Sequence, residues 1–298
     1  MAKKKYGVSN KAKLLNMTRQ TEGQTYMQVL LRFIQERFLY RLSVSEYREH
    51  FFLKGGALLY AHERFNARPT TDMDFMGDCI DRDKENIKQA FRAICAIACE
   101  EDGVTFDSGE NDVKVEDIAL EREYNGVCVH LTARLDTIVQ PVTMDVGFGD
   151  VIVPEPVELD YPLLLEGLPE VCVMAYSLET VVAEKFQTMI DRAEGNSRMK
   201  DFFDVYTILR SGKVDMVVLK DAVREVFQNR GTAYMEGHPL FSKDFAESEQ
   251  RQTMWRAFLR KMRYPVALGF GEVMDVISTE LKPMWEGMSK QLPPIYVR

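Results

Sequence analysis

Residues 51–76 read FFLKGGALLYAHERFNARPTTDMDFM, and the fold is decided there. The apolar run Phe51–Leu53 stops at Gly55-Gly56 and restarts as a helical pattern from Ala57, which reads as strand, tight turn, helix. Residues 72–76 then alternate acid and apolar with the period of a strand. Residues i and i+2 of a strand project to the same face, so Asp72 and Asp74 stand side by side while Met73 and Phe75 turn toward a core. Fifteen residues separate the glycine pair from Asp72, enough for a helix and a return strand that sets the turn beside the carboxylates. A helix start offers N–H groups to phosphate, and glycines without Cβ atoms let a triphosphate approach the main chain. Two adjacent carboxylates raise each other's pKa unless a cation lies between them. Oxygen-only ligation at this spacing suits Mg²⁺, which takes one or two carboxylates together with phosphate oxygens.

Upstream, Met27, Leu30, Leu31, Ile34 and Phe38 recur at three- and four-residue steps, predicting an amphipathic helix over 25–40. Residues 1–20 hold six Lys or Arg and no acid, which reads as a solvated tail, with RNA contact as the alternative. Downstream, 85–99 is helical, and a block with ten acids over 100–123 predicts edge strands and loops. Residues 126–133 and 142–148 read as strands. Asp145 lies on the second of these among apolar and small neighbours. It is either a strand-end acid capped by backbone or, since a buried acid needs a partner, a third ligand for a metal held by Asp72 and Asp74. PEPVELDYP (154–162) is a turn-rich exit. Beyond Ser177 the segments 178–192, 200–210, 214–228, 244–262 and 271–282 all follow helical periodicity. The expected organisation is a basic tail and helix (1–48), a mixed α/β core (49–176) and a helical C-terminal domain (177–298).

The 298 residues carry a formal charge of −8 and a pI near 5.3, so the mean field repels phosphate and the chain is no general polyanion binder. With 46% hydrophobic and 28% charged residues it is neither collagen, coiled coil nor disordered. None of the five cysteines forms a CxxC pair, which argues against zinc and for a reducing, intracellular compartment. No run approaches the ~20 apolar residues of a membrane span, and the first residues lack a signal-peptide core. A cytoplasmic protein is expected. The absence of GxSxG, Walker A and HExxH removes the serine hydrolase, P-loop NTPase and zincin readings.

In the helical half, Lys185 falls on the apolar stripe of Val181, Val182 and Met189, where a lysine must snorkel outward or find an anion. Asp201 and Asp204 share a face with Val205 and Ile208. They read either as partners of Lys200 or Arg192, or as groups that orient Lys185 or bind the nucleotide or acceptor. Arg256, Arg260 and Arg263 share one helix face, with Trp255 beside them, Arg251 and Lys261 nearby, and no acid until after Gly271. That stripe is either a solvated face paired to the acidic 100–123 block or a track for an RNA backbone.

KGGALLYAHERFNARPTTDMDF (54–75), MDVGFGDVIVPEP (144–156) and AEKFQTMIDRAEGNSRMKDFFDVY (183–206) together resemble the nucleotidyltransferase AbiEii/AbiGii toxin family of the polymerase-β-like superfamily. The resemblance implies an α+β fold, a mixed-sheet nucleotidyltransferase core followed by an all-helical C-terminal domain, with the site in the groove between them. It implies transfer of a nucleoside monophosphate from an NTP with two Mg²⁺ ions on Asp72, Asp74 and Asp145. Nucleotide binding would fall to Lys54, Gly55, Gly56, Arg68, Lys185, Asp201 and Asp204. It further implies an RNA acceptor, the 3′ end of tRNA in some relatives, and a neighbouring antitoxin protein. Many relatives carry Ser or Thr after the glycine pair where this chain has Ala57. The alternatives are transfer to a small hydroxylated molecule, as in aminoglycoside-modifying members of the superfamily, and a non-catalytic NTP-binding module.

Overall fold

The computed structural model describes residues 5–21, 23–118 and 126–293, which form two compact units. The first comprises residues up to Gly149 together with Val157–Ala175. The second comprises Asp150–Pro156 and everything from Tyr176 onward.

The first unit begins with two helices, α1 (Tyr6–Gln20) and α2 (Tyr26–Ser43). The expected solvated tail is thus a helix from Tyr6. Asn10 and Leu14 are its buried residues, and the Asn10 amide donates to the carbonyls of Glu101 and Asp102 at 2.9 and 3.0 Å. Residues 1–4 of that expected tail lie outside the described residues. A Thr25–Gln28 capping box starts α2. The amphipathic reading of α2 is too narrow, because Arg32, Gln35, Glu36, Arg37 and Arg41 are buried along with its apolar face. Met27, assigned to that face, is exposed.

Next come β1 (Phe51–Lys54), α3 (Gly55–Glu63), β2 (Met73–Gly77), α4 (Lys84–Ala96), β3 (Val104–Phe106) and β4 (Lys114–Asp117). The long hairpin β5 (Gly126–Leu135) and β6 (Ile138–Phe148) follows, then β7 (Val157–Tyr161) and β8 (Val171–Ala175). All eight strands share one sheet in the order β3-β5-β6-β2-β1-β8-β7, with β4 also on β5. β2 runs parallel to β6 and β1 parallel to β8; the remaining pairs are antiparallel. Glu121 and Glu123 of the acidic block lie outside the described residues. Alternation sorts the sheet into two faces. Met73, Phe75, Val129, Met144 and Val146 are fully buried on one, beside the stacked rings of Phe38 and Phe91 at 5.8 Å, and the half-buried polar residues occupy the other.

The second unit is helical, with no strand among its described residues. It contains α5 (Leu178–Arg192), α6 (Met199–Arg210), α7 (Met216–Asn229), α8 (Lys243–Glu247), α9 (Glu249–Met262) and α10 (Phe270–Gly287). The helix expected over 244–262 is two, because Ser248 ends one and caps the next. Segment 150–156 is stitched to the start of α5. The hydroxyls of Ser177 and Thr180 both donate to the Val153 carbonyl, at 2.8 and 2.9 Å.

Candidate active site

The strand registers build one row of side chains across the polar face of the sheet. Asp74 on β2 pairs with Asp145 on β6, Asp145 with Cys128 on β5, Cys128 with Glu116 on β4, and Asp74 on its other side with Lys54 on β1. Paired residues in a ladder share a face. The row therefore reads Glu116, Cys128, Asp145, Asp74, Lys54. Asp72 precedes β2 and is exposed, whereas Asp74 and Asp145 are half-buried.

No loop separates β1 from α3. Lys54 ends the strand and Gly55 opens the helix with φ of +67°, a conformation glycine tolerates and a side chain resists. A Cβ on Gly55 would collide with the Asp74 carboxylate, so the close approach this glycine permits is first of all that of Asp74. A Cβ on Gly56 would lie 2.7 Å from Cβ of Thr70. Ala57 is fully buried, and its carbonyl accepts from the Tyr161 hydroxyl at 3.2 Å. Position 57 thus faces the core.

Residues outside the expected set hold the acidic segment. The Thr70 hydroxyl donates to the Asp72 carbonyl and the Thr71 hydroxyl to the Asp72 carboxylate, both at 3.1 Å. From α2, Gln35 donates to the Thr71 carbonyl and Arg32 to that of Ala67, both at 3.3 Å. The Arg32 guanidinium stacks 4.0 Å over the Tyr60 ring. Arg68 is half-buried, and its charge helps push the Arg32 pKa down, after burial. Only Cys128 among these carried a sequence signal: the alternation of GVCVHLTA puts it on the face of His130 and Thr132.

Cys128 reports the field of the row. Burial first, then its hydrogen bond to Asp145 and the charges of Asp145, Asp72 and Glu116, push its thiol up to about 12. It therefore stays a neutral thiol, and the metal-ligating atoms the row offers are carboxylate oxygens. Among the described residues no three His, Cys, Asp or Glu side chains close on a metal position. An open pair of carboxylates, completed by phosphate oxygens and water, is nevertheless the donor set that suits Mg²⁺.

In the second unit, Lys185 has found its anions. Its ammonium lies 2.7 Å from Asp201 and 2.9 Å from Asp204, both carboxylates almost fully buried. The Arg198 guanidinium also bonds Asp201, so that carboxylate joins two cations, Lys185 and Arg198. Burial alone would raise the Asp201 pKa, but Lys185 and Arg198 outweigh it and hold the carboxyl well below the usual range. On α9, Arg256, Arg260 and Lys261 are exposed. Arg263, expected on the same helix face, instead caps the helix with φ of +56° and is exposed there. Trp255 is buried and donates to the Leu268 carbonyl at 2.8 Å. The indole is a core anchor, not a surface companion of the arginines.

The model of the nucleotidyl transferase AbiEii toxins of type IV toxin–antitoxin systems matches residues 37–276. The chain belongs to the AbiEii family. It is a nucleotidyltransferase, and its family places it in type IV toxin–antitoxin systems. Among solved structures, JHP933 from Helicobacter pylori is similar with a TM-score of 0.51 and 12% identity, over 90% of this chain and 95% of that one. A second H. pylori protein with a nucleotidyltransferase designation gives 0.50 and 12%, over 90% and 98%. At that identity the likeness is one of fold, a mixed α/β core with C-terminal helices. No curated protein sequence matches the AbiEii chain significantly. No described helix is long and apolar enough to cross a membrane.

Proposed function

We propose that this AbiEii protein is a cytoplasmic, Mg²⁺-dependent enzyme that moves a nucleoside monophosphate from an NTP to an RNA acceptor, the 3′ end of tRNA, countered by an antitoxin. The observation that carries the reading is the pairing of Asp74 with Asp145 on adjacent parallel strands, directly beside the helix start at Gly55-Gly56.

In the proposed reaction the acceptor hydroxyl oxygen bonds the α-phosphorus, the bond to the bridging oxygen of pyrophosphate breaks, and the hydroxyl proton passes to Asp145. Asp72, Asp74 and Asp145 would hold two Mg²⁺ ions, whose charge would offset that developing on the attacking and leaving oxygens. Gly55 and Gly56 admit the nucleotide to the first N–H groups of α3, while Lys54 and Arg68 supply positive charge. Lys185 is the phosphate-contacting ammonium, oriented by Asp201 and Asp204. The Cys128 thiol, which donates to Asp145, helps fix the orientation of that carboxylate.

The acidity of the row supports a second acceptor class. Glu116 and Asp72 extend the negative field beyond the pair, as a polycationic small molecule would require. Incubation with each labelled NTP, Mg²⁺ and either total RNA or an aminoglycoside decides between them. A labelled tRNA band supports the primary reading. Label on the aminoglycoside alone replaces it.

A further inference from the structure

A cavity of about 500 Å³ opens between α9 and the start of α10, within the helical unit and lined by none of the residues given a part in the proposed reaction. Leu259, Ala267, Leu268 and Phe270 give it apolar walls, and Gln252 and Arg256, one turn apart on α9, stand at its rim. Its volume is that of a small-molecule site, roughly 300–1,000 Å³. The floor is fixed from below. Trp255 packs against Phe270 and Phe258, each at 5.6 Å between ring centroids, and its indole bond to Leu268 ties down the connecting loop.

Charge continues outward from the rim. Arg260 and Lys261 follow Arg256 along α9, Arg263 caps the end of the helix, all four are exposed, and no acid occurs between Arg251 and Gly271. In a chain of net charge −8 this is a local reversal of sign next to an apolar recess. A planar apolar group joined to a chain of negative charges meets both features at once. Unpaired RNA has that form, because its bases can leave the stack and its phosphates recur at every nucleotide.

We propose that the α9–α10 cavity takes one unpaired base of a single-stranded RNA segment, with the flanking phosphates on Arg256, Arg260 and Arg263. This inference rests on RNA as the acceptor class and assigns where that acceptor is gripped.

The test measures binding without turnover, using a fluorescent, unstructured oligoribonucleotide titrated at several salt concentrations. Three phosphate contacts on a single strand give a log–log salt slope of about −2, and Arg256→Gln or Arg260→Gln should each flatten it by about 0.7. Ala267→Phe fills the cavity from an exposed position without touching a charge. It should weaken binding about ten-fold with the slope unchanged. A 4-thiouridine oligonucleotide should photo-crosslink to residues 252–271, which reads the site in the wild-type chain whatever the variants do. Wild-type affinity in Ala267→Phe, equal affinity for blunt duplex RNA, or competition by poly-glutamate as strong as by RNA would each overturn the proposal. RNA labelling unchanged in Ala267→Phe removes this cavity from the reaction and leaves the acceptor reading standing. Cavity-dependent binding without any labelling supports the cavity and sinks the acceptor reading instead.

Discussion

Gly55 shows how much one missing Cβ decides. Its φ of +67° and its contact with the Asp74 carboxylate are two separate demands for glycine at one position. Gly55→Ala should therefore cost about 1–3 kcal/mol of stability and abolish nucleotidyl transfer by displacing Asp74. Asp74→Ala should abolish transfer with little change in stability, because the loss of its repulsion with Asp145 is offset by the loss of its attraction to Lys54. Thermal melts of the two variants separate these effects; equal melting points would show that the glycine is not under strain. Glu36 makes a different prediction. It is fully buried, accepts from the Leu164 N–H at 2.6 Å and lies 2.8 Å from Arg37, yet burial, only partly offset by Arg37, raises its pKa to about 7. The folded state thus binds its proton more tightly than the unfolded state. The stabilisation is complete below pH ~4.5 and is lost as pH rises through about 7. Denaturant titrations between pH 5 and 8 should show stability declining in the wild type and declining less in Glu36→Gln. Parallel curves would remove Glu36 as the source.

At the scale of elements, what the sequence made legible is what depends on local spacing. Strand, glycine pair, helix and DMD strand over 51–77 follow from short-range alternation, as do α5, α6 and α7. The β5–β6 hairpin showed its two strands but not its turn, since Asp136-Thr137 lacks a glycine and Asp136 itself takes φ of +54°. α1 was illegible because it buries only Leu14 and the polar Asn10, which reaches across to Glu101 and Asp102, too little to set a hydrophobic period. The buried arginines of α2 were hidden for the same reason: Asp102, which holds Arg41 at 2.8 Å, is 61 residues away. In the candidate site Asp72, Asp74 and Asp145 could be named from type and spacing. The row that joins Asp145 to Cys128 needs the register, and the braces from Gln35 and Arg32 need the tertiary fold. The contact between α5 and α6 carries a prediction at this scale. Asp201→Asn removes one of the two carboxylates on Lys185 and weakens the hold on Arg198, at a cost of about 1.5–3 kcal/mol near neutral pH, since Lys185 keeps Asp204. Because the Asp201 pKa is depressed, its contribution is complete above the ordinary carboxylate range and fades as pH falls below it. The gap between variant and wild type should therefore narrow in acid. A gap as wide at pH 3 as at pH 7 would assign the loss to packing.

At the scale of the whole molecule, the chain passes between the two units more than once, since Asp150–Pro156 belongs with the helices while the strands on either side of it belong with the sheet. A fragment of residues 177–298 alone, the domain that composition suggests, therefore lacks part of its own structure. Ser177 and Thr180 lose the Val153 carbonyl, and Thr180 Oγ1 loses the Val153 N–H that donates to it at 3.0 Å. Arg230, whose guanidinium lies 2.9 Å from Asp150, loses that carboxylate at the same time. Three hydrogen bonds at ~0.5–1.5 kcal/mol each, with the half-buried ion pair, put the loss at about 2–4 kcal/mol. Appending residues 150–156 to the fragment through a short Gly/Ser linker should restore most of it. For a helical unit of this size that corresponds to a rise in melting temperature of roughly 8–20 °C. The full-length variant Asp150→Ala should reproduce the ion-pair part alone. If the linked and unlinked fragments melt together, the 150–156 segment is a passive connector, and its bonds to α5 contribute nothing to the helical unit.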